Sequence, residues 1–145
     1  MAHGMNTGNS IRPLRNVALM KQLIKRLQGR AMGLSGMGVF YGPSGFGKTF
    51  AAAYAAASQD AIHVSVQELW TKRTLIEQVL EELGQDPQRT IAGSMKKVNQ
   101  ALAIARRPLI IDETDYAIAR NMIGVIRDMH DGSQVPVVLI GMEKL

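Results

Sequence analysis

The sequence predicts a three-layer α/β protein with a mostly parallel central sheet. Short apolar, β-branched runs alternate with longer segments of helical periodicity, the pattern that βαβ units leave in a chain. One run, Leu109-Ile110-Ile111-Asp112, is apolar at every position before its last, as expected of a strand covered on both faces. The chain has 145 residues and no cysteine. That length is one domain, large enough to bury a core, and the core must hold by packing, because disulfides and thiolate metal sites are excluded.

Residues 1–12 are polar and contain glycine, and they read as a flexible N-terminal segment, in part a cloning remnant with Met5 available as a start. From Leu14 onward, Val17, Met20, Leu23, Ile24 and Leu27 recur at spacings of three and four. They predict an amphipathic helix with Arg15, Lys21, Gln22, Lys25 and Arg26 on its wet side. Gly29 and the stretch 33–38 end it, and Met37–Tyr41 is the first strand. An alanine-rich helix over 48–58 can pack close on a sheet. Residues 61–66 form a short second strand. His63 within it reads as a half-buried strand residue rather than a ligand, having no histidine or carboxylate at ligand spacing.

The next helix is expected from Thr71 or Thr74 to Leu83, with Thr74-x-x-Glu77 as a capping box and Gly84 as its stop. Trp70, the single tryptophan, suits core packing or base stacking. The next helix spans 90–106 with Ile91, Met95, Val98, Leu102 and Ala105 on one stripe. After the Leu109–Asp112 strand, a further helix is predicted over 117–130, closing at Asp131-Gly132. A last strand covers 135–140, with Pro136 near its start, where a missing donor is tolerated.

Two motifs carry the chemistry. Gly42-Pro43-Ser44-Gly45-Phe46-Gly47-Lys48-Thr49 is a complete G-x-x-x-x-G-K-T phosphate loop between a strand and a helix. Its glycines let successive N–H groups curl around phosphate oxygens, and the following helix aims its positive end at the same anion. Lys48 reaches the β- and γ-phosphates, and the Thr49 hydroxyl ligates Mg²⁺. About 60 residues later, an apolar strand ends in Asp112-Glu113. There Asp112 is assigned to the metal and Glu113 to orienting and polarising water, since a carboxylate neutralised by a metal makes a poor base. Asp115 either caps the next helix or lines the site.

These motifs, with the Val135–Ile140 strand, resemble the AAA+ branch of phosphate-loop ATPases. More narrowly, Val39 through Thr49, Thr71-Lys72-Arg73-Thr74-Leu75, Pro108 through Glu113 and Val135 through Gly141 look like the AAA+ proteins that assist DNA transposition, of the phage Mu transposition protein B type. The resemblance spans roughly residues 14–145. It implies a sheet ordered 5-1-4-3-2, with ATP and Mg²⁺ as cofactors. It also implies non-specific binding of double-stranded DNA, ATP-dependent self-assembly into an oligomer or filament, and delivery of DNA to a transposase. The setting it implies is the cytoplasm of a bacterial or phage-infected cell. Residues 13–145 would be the ATPase core, cut before the family's fifth strand, neighbour-reaching arginine and lid, and therefore a weak ATP hydrolase by itself. The family's polar residue after the fourth strand would fall in Ile140-Gly141-Met142-Glu143, where Met142 cannot do that work.

Charge adds a second theme. Seven basic residues and no acidic one precede Asp60, whereas ten basic and twelve acidic residues lie from Asp60 onward. The N-terminal field suits nucleic acid or a plain solvated helix face. Arg12, Arg15, Lys21, Lys25, Arg26, Lys72, Arg73, Lys96 and Lys97 are the candidate DNA contacts, acting on phosphates rather than bases. Arg120 and Arg127 read as surface residues. No apolar stretch approaches the ~20 residues of a membrane span. A replication-type AAA+ ATPase, such as a helicase loader or origin-binding protein, shares both motifs. A small-molecule kinase fits less well, because Asp112-Glu113 favours water as acceptor.

Overall fold

The computed structural model describes residues 7–41 and 46–141. In chain order the elements are α1 (Thr7–Gln28), β1 (Met37–Tyr41), α2 (Phe46–Ser58), β2 (Ile62–Ser65) and α3 (Lys72–Glu82). There follow α4 (Ile91–Ala105), β3 (Leu109–Asp112), α5 (Thr114–Ala119), α6 (Ile123–Ser133) and β4 (Val137–Gly141). The four strands pair in parallel in the order β1-β4-β3-β2, as the predicted order requires of its first four strands.

That order dictates the layers. From β1 the chain crosses to the far edge of the sheet and then returns strand by strand. Crossovers of one hand therefore put the first connection on one face and the later ones on the other. Accordingly α1 and α2 cover one face, where Met20, Ile24, Ala51, Ala52 and Ala55 meet Ile110, Val138 and Ile140. On the other face Leu75, Leu80, Val98, Leu102, Ile126 and Met129 meet Ile62, Val64, Leu109 and Ile111. Leu109, Ile110 and Ile111 are fully buried because they alternate between these two cores. Each large aliphatic side chain so buried contributes about 1.5–3 kcal/mol. Trp70 packs against the second of these cores, its expected structural role.

The helix ends show why some predicted boundaries moved. Helix α1 starts at Thr7, ahead of both Leu14 and the boundary expected at residue 12. The cap of α3 is Thr71, whose Oγ1 accepts from the Thr74 N–H at 3.2 Å. Thr74 is thus inside the helix, and no box forms with Glu77. Gly84 does stop α3. It adopts φ +70°, and the Gly84 and Gln85 amides close on the carbonyls of Glu81 and Leu80, the paired bonds of a Schellman ending.

The helix expected over 117–130 is two helices. Asn121 takes the left-handed conformation at φ 57°, which asparagine tolerates better than most residues. Met122 can then turn fully inward between α5 and α6. Helix α6 also runs through Gly132 to Ser133 rather than closing there. A Cβ on Gly132 would fall on the side-chain amide of Asn99 in α4, so this glycine permits a close helix crossing. Similarly, a Cβ on Gly36 would meet the Arg30 guanidinium and His130 Nε2. Instead the Gly36 N–H donates to His130 Nε2 at 3.0 Å, and Arg30 Nη2 donates to the Gln134 carbonyl at 2.7 Å. These bonds fasten the α1–β1 connection to the end of α6.

Gly132→Ala is expected to destabilise the protein by up to about 2 kcal/mol, overpacking at ~1–3 kcal/mol outweighing alanine's helix preference of ~1 kcal/mol. In an Asn99→Ala background the same change should become neutral or stabilising. Urea unfolding of the four proteins of this cycle measures both effects.

Candidate active site

The carboxyl ends of β1, β3 and β4 converge where the crossovers part to opposite faces, the position at which open parallel sheets form ligand crevices. Helix α2 begins at Phe46, within the phosphate-loop motif and two residues ahead of the predicted start at Lys48. Gly42, Pro43, Ser44 and Gly45 lie outside the described residues, as do Met142 and Glu143. Gly47, Lys48 and Thr49 occupy the first turn of α2. Lys48 is only 8% exposed, and its Nζ donates to the Gly141 carbonyl at the end of β4 at 2.7 Å. Thr49 reaches one strand further, its Oγ1 donating to Asp112 Oδ2 at the end of β3 at 3.2 Å. The first turn of α2 thus spans the sheet from β1 to β3, and the two sequence motifs meet.

Asp112 is 3% exposed, and among the described residues three donors meet its carboxylate. Besides Thr49, the Glu113 N–H donates to Oδ1 at 2.8 Å, and His63 Nε2 lies 3.3 Å from Oδ2. Burial works to raise the pKa of this carboxyl. Hydrogen bonding from His63 and the Glu113 amide, the charge interaction with His63, and the Thr49 hydroxyl outweigh it, so Asp112 stays below the usual aspartate value. It is therefore an anion at neutral pH, with hard oxygen donors beside it from Thr49. That donor set suits Mg²⁺, which favours carboxylate and hydroxyl oxygens over softer ligands.

Glu113 is exposed and does not join this network through its side chain. Its backbone is left-handed, φ 57° and ψ 44°, at the start of α5. For a residue with a Cβ this conformation costs about 1–2 kcal/mol. The turn is pinned from both sides. Thr114 Oγ1 donates to the Ile111 carbonyl at 3.0 Å, and the Asp112 carboxylate holds the Glu113 amide. Asp115 falls in the first turn of α5, half-buried, while Arg120 and Arg127 are exposed as expected.

His63 is the residue that sequence reasoning set aside, and the structure corrects the reason. Asp60 and Glu68 are the carboxylates nearest it in sequence, and neither is its partner; β2 lies beside β3 with His63 opposite Ile110. Side chains two apart share a strand face, so His63 and Asp112 are diagonal neighbours on the face beneath α2. Strand order combined with the parity of His63 would have found the contact.

The candidate DNA contacts fall into two groups. Arg15, Lys25 and Arg26 are exposed on α1, and Lys21 is half-buried with its Nζ 5.9 Å from the centre of the Tyr54 ring. The side chain of Arg12 lies outside what is described. Lys72, Arg73, Lys96 and Lys97 sit on α3 and α4, in the opposite layer. There Arg73 pairs with Glu77 at 3.5 Å, and Lys97 donates to the Asp86 carbonyl at 3.0 Å. Among the described residues no helix is long and apolar enough to cross a membrane.

A parallel sheet with a phosphate-loop helix at one strand end and a buried aspartate at another defines the class of phosphate-loop nucleoside triphosphatases. The family assignment agrees: the model for the AAA domain matches residues 31–145, and the chain belongs to that family of ATPases. Nucleotide binding, generally with Mg²⁺, and ATP hydrolysis are the family's general properties. Comparison with curated proteins yields no match.

Because glycine adopts φ > 0 freely, Glu113→Gly should leave stability unchanged or raise it by about 1 kcal/mol. Chemical denaturation reads this directly, and a loss above that size would mean the Glu113 side chain stabilises the fold.

Proposed function

We propose that the chain is the Mg²⁺-dependent ATPase core of a DNA-transposition accessory protein, one that binds duplex DNA without sequence preference and delivers it to a transposase. The observation that carries the catalytic half is the hydrogen bond from Thr49 Oγ1 to Asp112 Oδ2. It brings a phosphate-loop hydroxyl and a strand-end carboxylate, 63 residues apart in sequence, to a single point beside Lys48.

In this reading residues 42–49 cradle the triphosphate with backbone amides, and Lys48 turns from the Gly141 carbonyl to the β- and γ-phosphates. Thr49 and Asp112 hold Mg²⁺, which when bound neutralises phosphate charge. Glu113, next to Asp112 in the chain and open to solvent, orients a water and accepts its proton. Adenine is the expected base on the strength of the family.

Support for the DNA half comes from charge and layering. Residues 7–58 run from the start of α1 through β1 to the end of α2, and none is acidic. The α1–α2 layer therefore presents Arg15, Lys21, Lys25 and Arg26, with the half-exposed ring of Tyr54, and no carboxylate of its own. Such a surface attracts phosphates by counterion release. The likeness to transposition proteins favours duplex DNA as that partner and an ATP-dependent oligomer as the binding form.

Glu113→Gln should retain a fluorescent ATP analogue with near-parental affinity while losing at least 100-fold in steady-state hydrolysis, the lower range for a general base. Weakened nucleotide binding with the turnover number preserved would remove Glu113 from the water-orienting role. For DNA, Arg15→Ala/Lys25→Ala/Arg26→Ala should weaken retention of duplex with ATP present and reduce the salt slope by about 0.9 per lost phosphate contact. A Lys72→Ala/Lys96→Ala pair should leave both unchanged. Equal losses from the two sets, or DNA retention that ignores nucleotide state, would count against this reading.

A further inference from the structure

His63 lies where a strand residue with no assigned task should not need to be polar. The face of β2 that it shares with Ala61 and Ser65 turns toward α2, and Ala61 there is buried among apolar side chains. Yet its side chain is only 17% exposed, and its Nε2 sits 3.3 Å from Asp112 Oδ2. Since Oδ2 also takes the Thr49 hydroxyl and Oδ1 the Glu113 amide, the carboxylate is held from three directions. The donors belong to β2, α2 and the turn after β3. The Glu113 amide lies next to Asp112 in sequence, and the Thr49 hydroxyl is itself assigned to the cation. Among the described residues, His63 alone holds the carboxylate from a neighbouring strand without belonging to the nucleotide machinery.

We propose that His63 is a positioning residue for the divalent-cation site, donating its Nε2–H to Asp112 so that the carboxylate keeps the orientation in which it meets Thr49. An ionised carboxylate accepts hydrogen bonds and offers none, so the hydrogen of this contact belongs to the imidazole. Without it, the partners left to Asp112 among the described residues are a neighbouring backbone amide and a rotatable hydroxyl, and the carboxylate plane is free to turn about χ2, which is broad for aspartate. Hydrogen-bond partners behind a metal-holding group set its orientation, and their loss typically lowers metal affinity 10–100-fold. The effect of His63 should therefore appear in the Mg²⁺ requirement for nucleotide binding rather than in nucleotide affinity without metal. This inference rests on the reading of Asp112 as a metal-holding residue.

The test compares His63→Met with His63→Gln in the full chain. These side chains have similar length, and only glutamine places an N–H donor near the position of Nε2. Binding of a fluorescent ATP analogue is titrated with Mg²⁺, and again in chelator. His63→Met should need about 10-fold more Mg²⁺ for half-maximal binding, with the binding seen in chelator unchanged. His63→Gln should fall within about threefold of the parent. Parental Mg²⁺ dependence in a folded His63→Met, or equal impairment in both variants, overturns the proposal. Asp112→Asn separates this failure from failure of the underlying reading. If it leaves the Mg²⁺ dependence untouched, Asp112 is not the metal-holding residue; if it raises the requirement while His63→Met does not, only the role of His63 falls. Should His63→Met not fold, long-range ¹H–¹⁵N spectra of the parent decide the matter. A ring protonated on Nε2 is expected, and a neutral ring protonated only on Nδ1 overturns the donation.

Discussion

Asp112 carries a charge inside the protein, and that charge constrains everything around it. An uncompensated buried carboxylate is costly enough that proteins pair it, bond it or neutralise it. Here the donors come from β2, the first turn of α2 and the start of α5. Those elements cannot shift independently without leaving the carboxylate short of a partner. The requirement reaches further through α2, because its first turn also carries Lys48 to the end of β4. One buried charge thus registers three strands and two helices against each other.

The tight packing beneath α2 serves the same arrangement. Ala51, Ala52 and Ala55 are fully buried against the sheet, and larger residues would lift the helix and lengthen the reach from Thr49 to Asp112. Alanine therefore does more than favour the helix: it sets the height of the phosphate-loop lysine and threonine above the strands. The left-handed backbone at Glu113 completes the geometry. It turns the chain sharply off β3, leaving Asp112 buried and its neighbour exposed within a single residue.

Much of this was legible in the sequence. Met37–Tyr41 and Leu109–Asp112 coincide with β1 and β3 residue for residue, because each is a short apolar run closed by clear punctuation, Gly42 after the first and the Asp112-Glu113 pair at the end of the second. The phosphate loop and the Asp112-Glu113 pair announced themselves by spacing. What escaped depended on competition or on three dimensions. Thr71 and Thr74 are both credible caps, and only the direction in which the chain enters α3 selects between them. The break at Asn121 needs Met122 to prefer a buried site over a continuous helix, a tertiary preference that periodicity does not report. His63 was invisible as a partner of Asp112 because their proximity is a property of strand pairing.

The sheet order has a consequence in time as well as in space. Among the described residues β1 pairs only with β4, Met37 standing opposite Val137. The strand that feeds the phosphate loop therefore gains its hydrogen-bonded neighbour only after about a hundred further residues have been made, and closing so long a loop is entropically slow. Until then the α1–β1–α2 portion is a positively charged segment with an unpaired edge. A ribosome that pauses before β4 would hold it in that state, exposed to other strands and to polyanions. Among the described residues, it is β4 that gives the strand feeding the phosphate loop its hydrogen-bonded neighbour.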